Sequence, residues 1–227
     1  MARTLTQRMV VVAGLVSMAL AVCLAPLIGS TTLSLTRAFD RTIPFADNLD
    51  AQIFFLARLP RVLAAAMVGG TLAAAGTVFQ ALLQNPLATP YTLGVSAGAS
   101  LGAMIVITIG ATLPLVGVTG ASLAGATLAV LVVYALAQAR HRGLSTTVLL
   151  LAGVTLNACF SALILFEQYL GDAMQTFRAI RWLMGSLDVA GYGPLVAAFP
   201  FIAIAFLAFA WLARPLDLLT LGADAAA

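Results

Sequence analysis

Two arginines three residues apart are the first groups in this sequence that could recognise a ligand. Arg58 and Arg61 flank Leu59 and Pro60 where a long apolar stretch begins. Proline suits the first turn of a helix, because the N–H that it lacks has no partner there anyway. Both guanidinium groups are therefore predicted at one mouth of a helix, where arginine can bind carboxylates bidentately. The alternative is that they snorkel to a membrane surface as anchors.

A proline-rich turn follows the same apolar stretch. Residues 84–90 read Gln-Asn-Pro-Leu-Ala-Thr-Pro, and each proline disfavours helical geometry in the residue before it. The segment is predicted to form a compact turn between two helices. A plain helix–helix turn explains this pattern, and so does a rigid collar that directs Asn85 and Leu87 into a pore.

Small residues recur at helical spacing after this turn. Gly94, Gly98 and Gly102 lie four residues apart, a spacing that lets helix backbones approach closely in membranes. We interpret them as helix-packing positions. A later apolar stretch opens with Ser-Thr-Thr at 145–147, which predicts either a helix N-cap or a polar constriction at the mouth of a pore.

Patterns typical of enzymes are missing from the sequence. It has no Walker A motif that would bind ATP, no Cys/His cluster with metal-ligand spacing and no recognisable catalytic constellation. We therefore expect no catalytic residue, no metal site and no bound cofactor. Glu167 lies near the end of its apolar stretch beside Gln168 and Asp172, where an exposed or paired role is favoured over a proton relay.

The composition describes the elements that must position these groups. Of the 227 residues, 62% are hydrophobic and 8% are charged, whereas soluble domains carry about a quarter charged residues. A net charge of +3 is too small to favour nucleic acid. About 20 apolar residues cross a bilayer as a helix, so the fold class predicted is all-α, a polytopic transmembrane helical bundle in one domain, 1–227. The six predicted spans are roughly 9–28, 61–83, 92–110, 115–137, 146–168 and 193–213, with 214–227 starting a cytoplasmic region.

Orientation depends on the arginines, because the sequence has no lysine. With the N-terminus inside, five arginines lie on the cytoplasmic side and six on the outer side, so the positive-inside rule gives no clear answer. We prefer a cytoplasmic N-terminus because Arg3, Arg8, Arg140 and Arg142 flank short connections. Within 169–192, apolar residues at helical spacing with offset arginines predict a short interfacial helix.

These residues resemble the permease subunit of type II ATP-binding-cassette importers, the iron-siderophore, haem and cobalamin uptake family. The matching segments occur in family order along nearly the whole chain. They are Arg-Leu-Pro-Arg (58–61), Gln-Ala-Leu-Leu-Gln-Asn-Pro-Leu-Ala-Thr-Pro (80–90), Leu-Gly-Val-Ser-Ala-Gly-Ala (93–99), Leu-Leu-Leu-Ala-Gly-Val (149–154), Arg-Trp-Leu-Met-Gly-Ser-Leu (181–187) and Leu-Leu-Thr-Leu-Gly-Ala-Asp-Ala-Ala (218–226).

The resemblance implies roles for individual residues. Arg58 and Arg61 would pair with glutamates of a periplasmic substrate-binding protein. Cytoplasmic gates would be formed by Asn85 and Leu87 and by Thr146 and Thr147, and coupling to the ATPase would begin at Leu221, Gly222, Ala223 and Asp224.

The resemblance also implies a function and partners. The chain would be a multi-pass permease of the bacterial inner membrane that moves a ferric siderophore, or a related chelate such as haem or cobalamin. Its partners would be a second permease copy or paralogue, a cytoplasmic ATPase dimer, a periplasmic binding protein and the lipid bilayer. ATP would be used by the partner ATPase, and the chain itself would be no enzyme.

Several alternatives remain open at this stage. Members of the resembled family have about ten helices, whereas six are predicted here, as expected of a natural truncation, a split gene, an incomplete reading frame or a non-functional fragment. A secondary, ion-coupled transporter would need ionisable groups at mid-membrane, and the centres of the predicted spans hold none. A membrane-embedded enzyme would need the catalytic constellation that is missing.

Overall fold

The computed structural model describes residues 2–109, 117–138 and 146–220. Within these ranges every regular element is helical. The α-helices are α1 (Ala2–Leu24), α2 (Leu35–Ala38), α3 (Leu49–Gln52), α4 (Leu59–Leu82), α5 (Val95–Ile109), α6 (Val118–Gln138), α7 (Thr146–Leu170), α8 (Ala173–Met184) and α9 (Gly193–Thr220). Short 3₁₀ turns occur at Ala25–Leu27 and Pro90–Leu93, and a π-helical turn, Ile53–Arg58, leads into α4.

Five helical stretches are long and apolar enough to cross a membrane. They are Arg8–Leu27, Leu49–Leu82, Val118–Gln138, Thr146–Leu170 and Gly193–Leu219. A shorter apolar helix, Val95–Ile109, accompanies them. The predicted fold class, an all-helical polytopic membrane protein, is thereby confirmed.

The chain divides into two compact units, each built from two stretches of sequence. The first unit contains Met1–Leu72 and Leu187–Ala208. The second contains Ala73–Ser186 and Phe209–Ala227.

In the first unit, a buried asparagine organises the connection between α1 and α4. The side chain of Asn48 donates from Nδ2 to the carbonyl of Arg37 at 2.6 Å. Its Oδ1 accepts from the amide of Ala51 at 3.1 Å, which makes Asn48 the N-cap of α3. The rings of Phe39, Phe54 and Phe55 pack edge to face beside this connection, with centroids 5.0, 5.4 and 5.5 Å apart.

In the second unit, α5 and α6 pack backbone to backbone. A Cβ added to Gly98 would lie 2.6 Å from the carbonyl oxygen of Gly125 and 2.8 Å from Cβ of Ala129. A Cβ on Gly102 would clash with the carbonyl of Ala121. Only hydrogen at these positions permits the observed approach of the two helices, as small residues do in membrane proteins.

A capped turn that packs against α7 precedes α5 and fixes where the helix begins. Thr89 and Thr92 form a capping box around the 3₁₀ turn, with Thr92 Oγ1 donating to the carbonyl of Thr89 at 2.6 Å. Gly94 then adopts a φ of 72°, a left-handed conformation that glycine adopts without a steric penalty. Gly153 on α7 meets the backbone of Thr92 and Leu93 so closely that any Cβ would clash.

The helix predicted within 169–192 is present as α8. Asp172 and Gln175 cap its start reciprocally: the amide of Gln175 donates to Asp172 Oδ1 at 2.7 Å, and the amide of Asp172 donates to Gln175 Oε1 at 3.0 Å. The side chain of Gln175 also donates from Nε2 to the carbonyl of Thr108 at 3.1 Å. One capping residue thus ties the start of α8 to the end of α5.

Candidate functional site

Arg58 is held by backbone carbonyls in the first unit. Its Nη1 donates to the carbonyls of Pro26 and Leu27, each at 3.2 Å, and its Nη2 donates to the carbonyl of Thr31. Gly29 leaves room for this arrangement, since a Cβ there would lie 2.7 Å from the guanidinium carbon. All of these acceptors are neutral, so the positive charge of Arg58 is solvated by the chain but not neutralised.

Arg61 has a different environment, because it forms an ion pair with Asp188. The pair is open to solvent: 54% of the arginine side chain and 73% of the aspartate side chain are exposed. The segment that carries Asp188 is fixed nearby, since the amide of Gly191 donates to the carbonyl of Leu56 at 2.9 Å. Exposed ion pairs contribute only about 0–1 kcal/mol, so this one can be exchanged for another carboxylate.

The two predicted docking arginines border the same cavity. It has a volume of about 260 Å³. It is lined by Ala25, Ile28, Gly29, Ser30, Thr31, Ile53, Ala57, Arg58, Arg61 and Val62. Two guanidinium groups on one small cavity can bind a carboxylate that enters from outside. Asp188 was not among the residues predicted for this site.

The Asn-Pro turn presents an exposed leucine in the second unit. Asn85 Oδ1 accepts from the amide of Leu87 at 2.9 Å, so the asparagine side chain stabilises its own turn. Leu83 and Ala88 are both 1% exposed and anchor the turn, whereas Leu87 is 81% exposed. Of the two residues predicted for this gate, Leu87 projects from the turn and Asn85 shapes it.

Gln84 is a functional candidate that sequence patterns did not identify. Its φ of 47° is left-handed, which costs a residue other than glycine about 1–2 kcal/mol. Its Nε2 donates to the carbonyl of Leu219 on α9 at 2.8 Å. This hydrogen bond ties the turn to the last described helix. Its place directly before Asn85 and Pro86 was the one local signal that an irregular backbone begins there.

Thr146 borders a cavity that Gln84 also lines. The cavity has a volume of about 470 Å³. Its lining consists of Leu82, Leu83, Gln84, Leu93, Val130, Val133, Tyr134, Thr146, Leu149 and Leu219. The structure therefore brings one predicted gate residue, Thr146, next to the Asn-Pro turn. Thr147 is exposed, and neither it nor Leu87 is among these lining residues.

Some predicted positions lie outside the described residues. The coupling residues Leu221, Gly222, Ala223 and Asp224 are among them, as are Arg140, Arg142 and Ser145. Among the described residues, no group of three or more His, Cys, Asp or Glu side chains is arranged to hold a metal ion.

The environment of Glu167 differs from the one predicted from the sequence. The residue was predicted to be exposed or paired, but both of its carboxylate oxygens are buried and have no hydrogen-bond partner in the part of the chain that the structure describes. The reason is the packing of the last turn of α7, which the sequence pattern near the water boundary does not show.

Long apolar helices joined by glycine contacts define the chain as a polytopic membrane protein. Residues 17–227 match the FecCD transport family, and the chain belongs to that family.

Three curated relatives show what the chain is similar to. It is 36% identical over 196 residues to an uncharacterized ABC transporter permease protein, YvrB, of Bacillus subtilis, covering 84% of this chain and 54% of the relative. It is 33% identical over 192 residues to the cobalamin import system permease protein BtuC of Halobacterium salinarum, with coverages of 84% and 51%. It is 35% identical over 209 residues to the hemin transport system permease protein HmuU of Yersinia pestis, with coverages of 88% and 61%.

A solved structure has the same fold. It is described as an inward-facing conformation of a metal-chelate type ABC transporter, and it superimposes with a TM-score of 0.74 at 27% sequence identity. The superposition covers 91% of this chain and 61% of the solved one. The chain thus spans about half to three fifths of the length of the proteins that it matches.

Proposed function

We propose that this chain is the membrane-spanning permease of an ATP-driven importer in the bacterial inner membrane, and that its cargo is a ferric siderophore or a related metal chelate. The observation that carries the proposal is the family match over residues 17–227. The names of the relatives support it, since they include permeases for cobalamin and for hemin. The solved structure of a metal-chelate type transporter points to the same cargo class.

We propose that other subunits supply the chemistry of this importer. A cytoplasmic ATPase dimer hydrolyses ATP, while the permease contributes no catalytic residue and binds no cofactor. A second permease copy or paralogue completes the pore. Transport is then a shift in population between inward-open and outward-open packings, which ATP and the loaded binding protein bias because each binds one packing better than the other.

The cavity beside Arg58 and Arg61 is the proposed docking site for a periplasmic binding protein. The carbonyls around Arg58 hold its guanidinium in place without neutralising it. The exposed partner of Arg61 can leave at little cost in free energy. Two glutamates of the binding protein would therefore meet Arg58, which is already held in place, and Arg61, which is readily released from Asp188.

We propose that the Asn-Pro turn is a gate on the cytoplasmic side and that the N-terminus is cytoplasmic as well. Leu87 supplies the apolar obstruction and Asn85 the turn that holds it. Thr146 and Thr147 form a second gate at the start of α7, next to the cavity that Gln84 lines. The residues after 220, from Leu221 to Asp224, begin the contact with the ATPase.

Inactivation of the gene in its source organism tests the proposal. Uptake of radiolabelled ferric citrate, haem and cobalamin is measured before and after inactivation and after complementation with the wild-type gene. We expect uptake of at least one chelate to fall and to return on complementation. The same uptake should stop when ATP is depleted with the proton gradient maintained.

Two outcomes would contradict this function. Uptake of every chelate could be unchanged by inactivation. Alternatively, uptake could survive ATP depletion and collapse with the proton gradient, which would identify an ion-coupled transporter.

A further inference from the structure

Helix α8 runs back along α5 in the opposite direction. Its start is fixed by the hydrogen bond from Gln175 to the carbonyl of Thr108, near the end of α5. One turn further along α8, Ala179 is buried with Met104 of α5 and Ile164 of α7. Successive residues of α8 therefore meet successively earlier residues of α5, and the last turn of α8 reaches the first two turns of α5.

A cavity of about 650 Å³ opens where the two helices reach this point. The polar residues that line it are Ser96 and Ser100 of α5, Arg178 and Arg181 of α8, and Ser186; the others are Ala99, Trp182, Leu183 and Gly185. Residues that carry two guanidinium groups, three hydroxyls and an indole ring thus line one space. None of the described lining residues is acidic.

Among the residues that the structure describes, no counter-ion pairs with the arginines of this cavity. Within the described ranges, the side chains of Arg178 and Arg181 have neither an ion-pair nor a hydrogen-bond partner. From Thr108 back to Ser96, α5 rises about 18 Å at 1.5 Å per residue, so the last turn of α8 lies well away from the end of α5. Two positive charges that share one cavity favour an anionic ligand, because each guanidinium group can donate charge-assisted hydrogen bonds to it.

We propose that this cavity binds the anionic oxygen donors, carboxylate or catecholate, of the chelate on its way through the permease. The inference rests on the proposed function and adds a cargo class to it. Arg178 and Arg181 bind the oxygens through charge-assisted hydrogen bonds, the serines add neutral ones, and Trp182 packs against the body of the ligand. An anionic chelate is therefore favoured over a neutral one.

Trp182 supplies a local measurement of binding, because it lines the cavity and is one of two tryptophans in the chain. The full chain is placed in nanodiscs of phosphatidylcholine with Trp211→Phe, which leaves Trp182 as the remaining indole. Ferric citrate is the anionic probe, and cyanocobalamin is the neutral one. We expect saturable quenching of Trp182 by ferric citrate at concentrations where cyanocobalamin has no saturable effect.

Substitution of the arginines tests which groups carry the affinity. Arg178→Gln with Arg181→Gln is expected to weaken ferric citrate binding by about tenfold or more, since a hydrogen bond to a charged group contributes at least a factor of that size. Arg178→Lys with Arg181→Lys is expected to retain part of the affinity. Arg37→Gln with Arg41→Gln, which removes the same charge outside the cavity, should leave binding unchanged.

A second experiment distinguishes binding of the chelate from binding of a lipid headgroup in the same cavity. Nanodiscs that contain phosphatidylglycerol should compete weakly with ferric citrate. Loss of binding that follows phosphatidylglycerol content alone, with no response to ferric citrate in phosphatidylcholine, would overturn the proposal in favour of a lipid site. Equal affinity in the Gln variants and the wild type would overturn it as well. If the Gln variants bind as tightly as the wild type while inactivation of the gene still lowers chelate uptake in source cells, the cavity proposal fails and the importer function stands.

Discussion

The carboxylate of Asp188 binds the guanidinium of Arg61, which lies 127 residues earlier in the chain. Both side chains are more than half exposed. The proposed docking arginine is therefore already occupied by a carboxylate from its own chain. Asp188 competes with any glutamate that a binding protein presents, and docking requires the exchange of one ion pair for another.

Removal of this competitor is expected to strengthen docking. Asp188→Asn should raise the affinity of the binding protein up to about fivefold, the range expected from an exposed ion pair, whereas Arg61→Gln should lower it. The affinity is measured by surface plasmon resonance on the importer in nanodiscs, at low and at high salt. Asp47→Asn, another exposed acid of the first unit, is the matched control. Weaker docking by Asp188→Asn would show that the aspartate positions Arg61 and does not compete for it.

The glycine contact between α5 and α6 predicts a position-specific loss of stability. Gly98→Ala places a methyl group 2.6 Å from the carbonyl oxygen of Gly125 and is expected to destabilise the protein by about 1–3 kcal/mol through overpacking. The thermal unfolding midpoint in detergent should fall accordingly. Gly76→Ala on α4 is the control, because a Cβ there meets nothing within 4 Å, and alanine is the better helix former. Equal midpoints for the two variants would contradict the close packing.

The proposed gate predicts nucleotide-dependent accessibility at Leu87. In a Cys23→Ala, Cys159→Ala background, Leu87→Cys in the assembled importer should react with a water-soluble maleimide at different rates with and without ATP, because the turn changes packing. Ala46→Cys, exposed in the connection between α1 and α4, should react at one rate in both conditions. The same rate at Leu87→Cys with and without nucleotide would argue against a gate.

The pKa of Asp40 is predicted to depend on Thr42. Hydrogen bonds from the Thr42 hydroxyl at 2.6 Å and then from its amide at 2.9 Å lower the pKa of Asp40 below its ordinary value. Thr42→Val removes the first hydrogen bond and should raise that pKa toward its ordinary value. Because the folded-state pKa is depressed, the contribution of Asp40 to stability is present above the ordinary value and is lost as the pH falls through the folded one. Carboxyl NMR titration measures the shift, Thr32→Val is the control, and an unchanged titration would contradict the assignment.

The sequence predicted the helical class because hydrophobicity patterns depend on contiguous residues. Long apolar stretches require helices in a bilayer, where each backbone group must find a partner within its own segment. The proline-rich turn at 84–90 and the small-residue spacing from Gly94 to Gly102 are equally local. The resemblance to a family added roles for Arg58, Arg61 and the gate residues, which stay predictions.

Contacts between distant segments could not be read in this way. Gly98 and Gly102 pack against Gly125 and Ala121 of α6. The sequence does not show this pairing, because α6 contains several other small residues. The left-handed backbone at Gln84 could not be predicted, because glycine is the residue that usually indicates this conformation. Its hydrogen bond to Leu219 joins residues 135 positions apart. Glu167 was misjudged because burial of its carboxylate depends on the packing of neighbouring segments.

By itself, the sequence determined an all-helical membrane protein with close-packed glycine faces, a rigid Asn-Pro turn and arginines at a helix start. Local conformation and hydrophobicity suffice for these features. The tertiary structure alone decided that Asp188 occupies Arg61 and that α8 folds back on α5. That reversal carries Arg178 and Arg181 to Ser96 and Ser100. Such pairings follow from the packing of segments far apart in the chain, which no local pattern encodes.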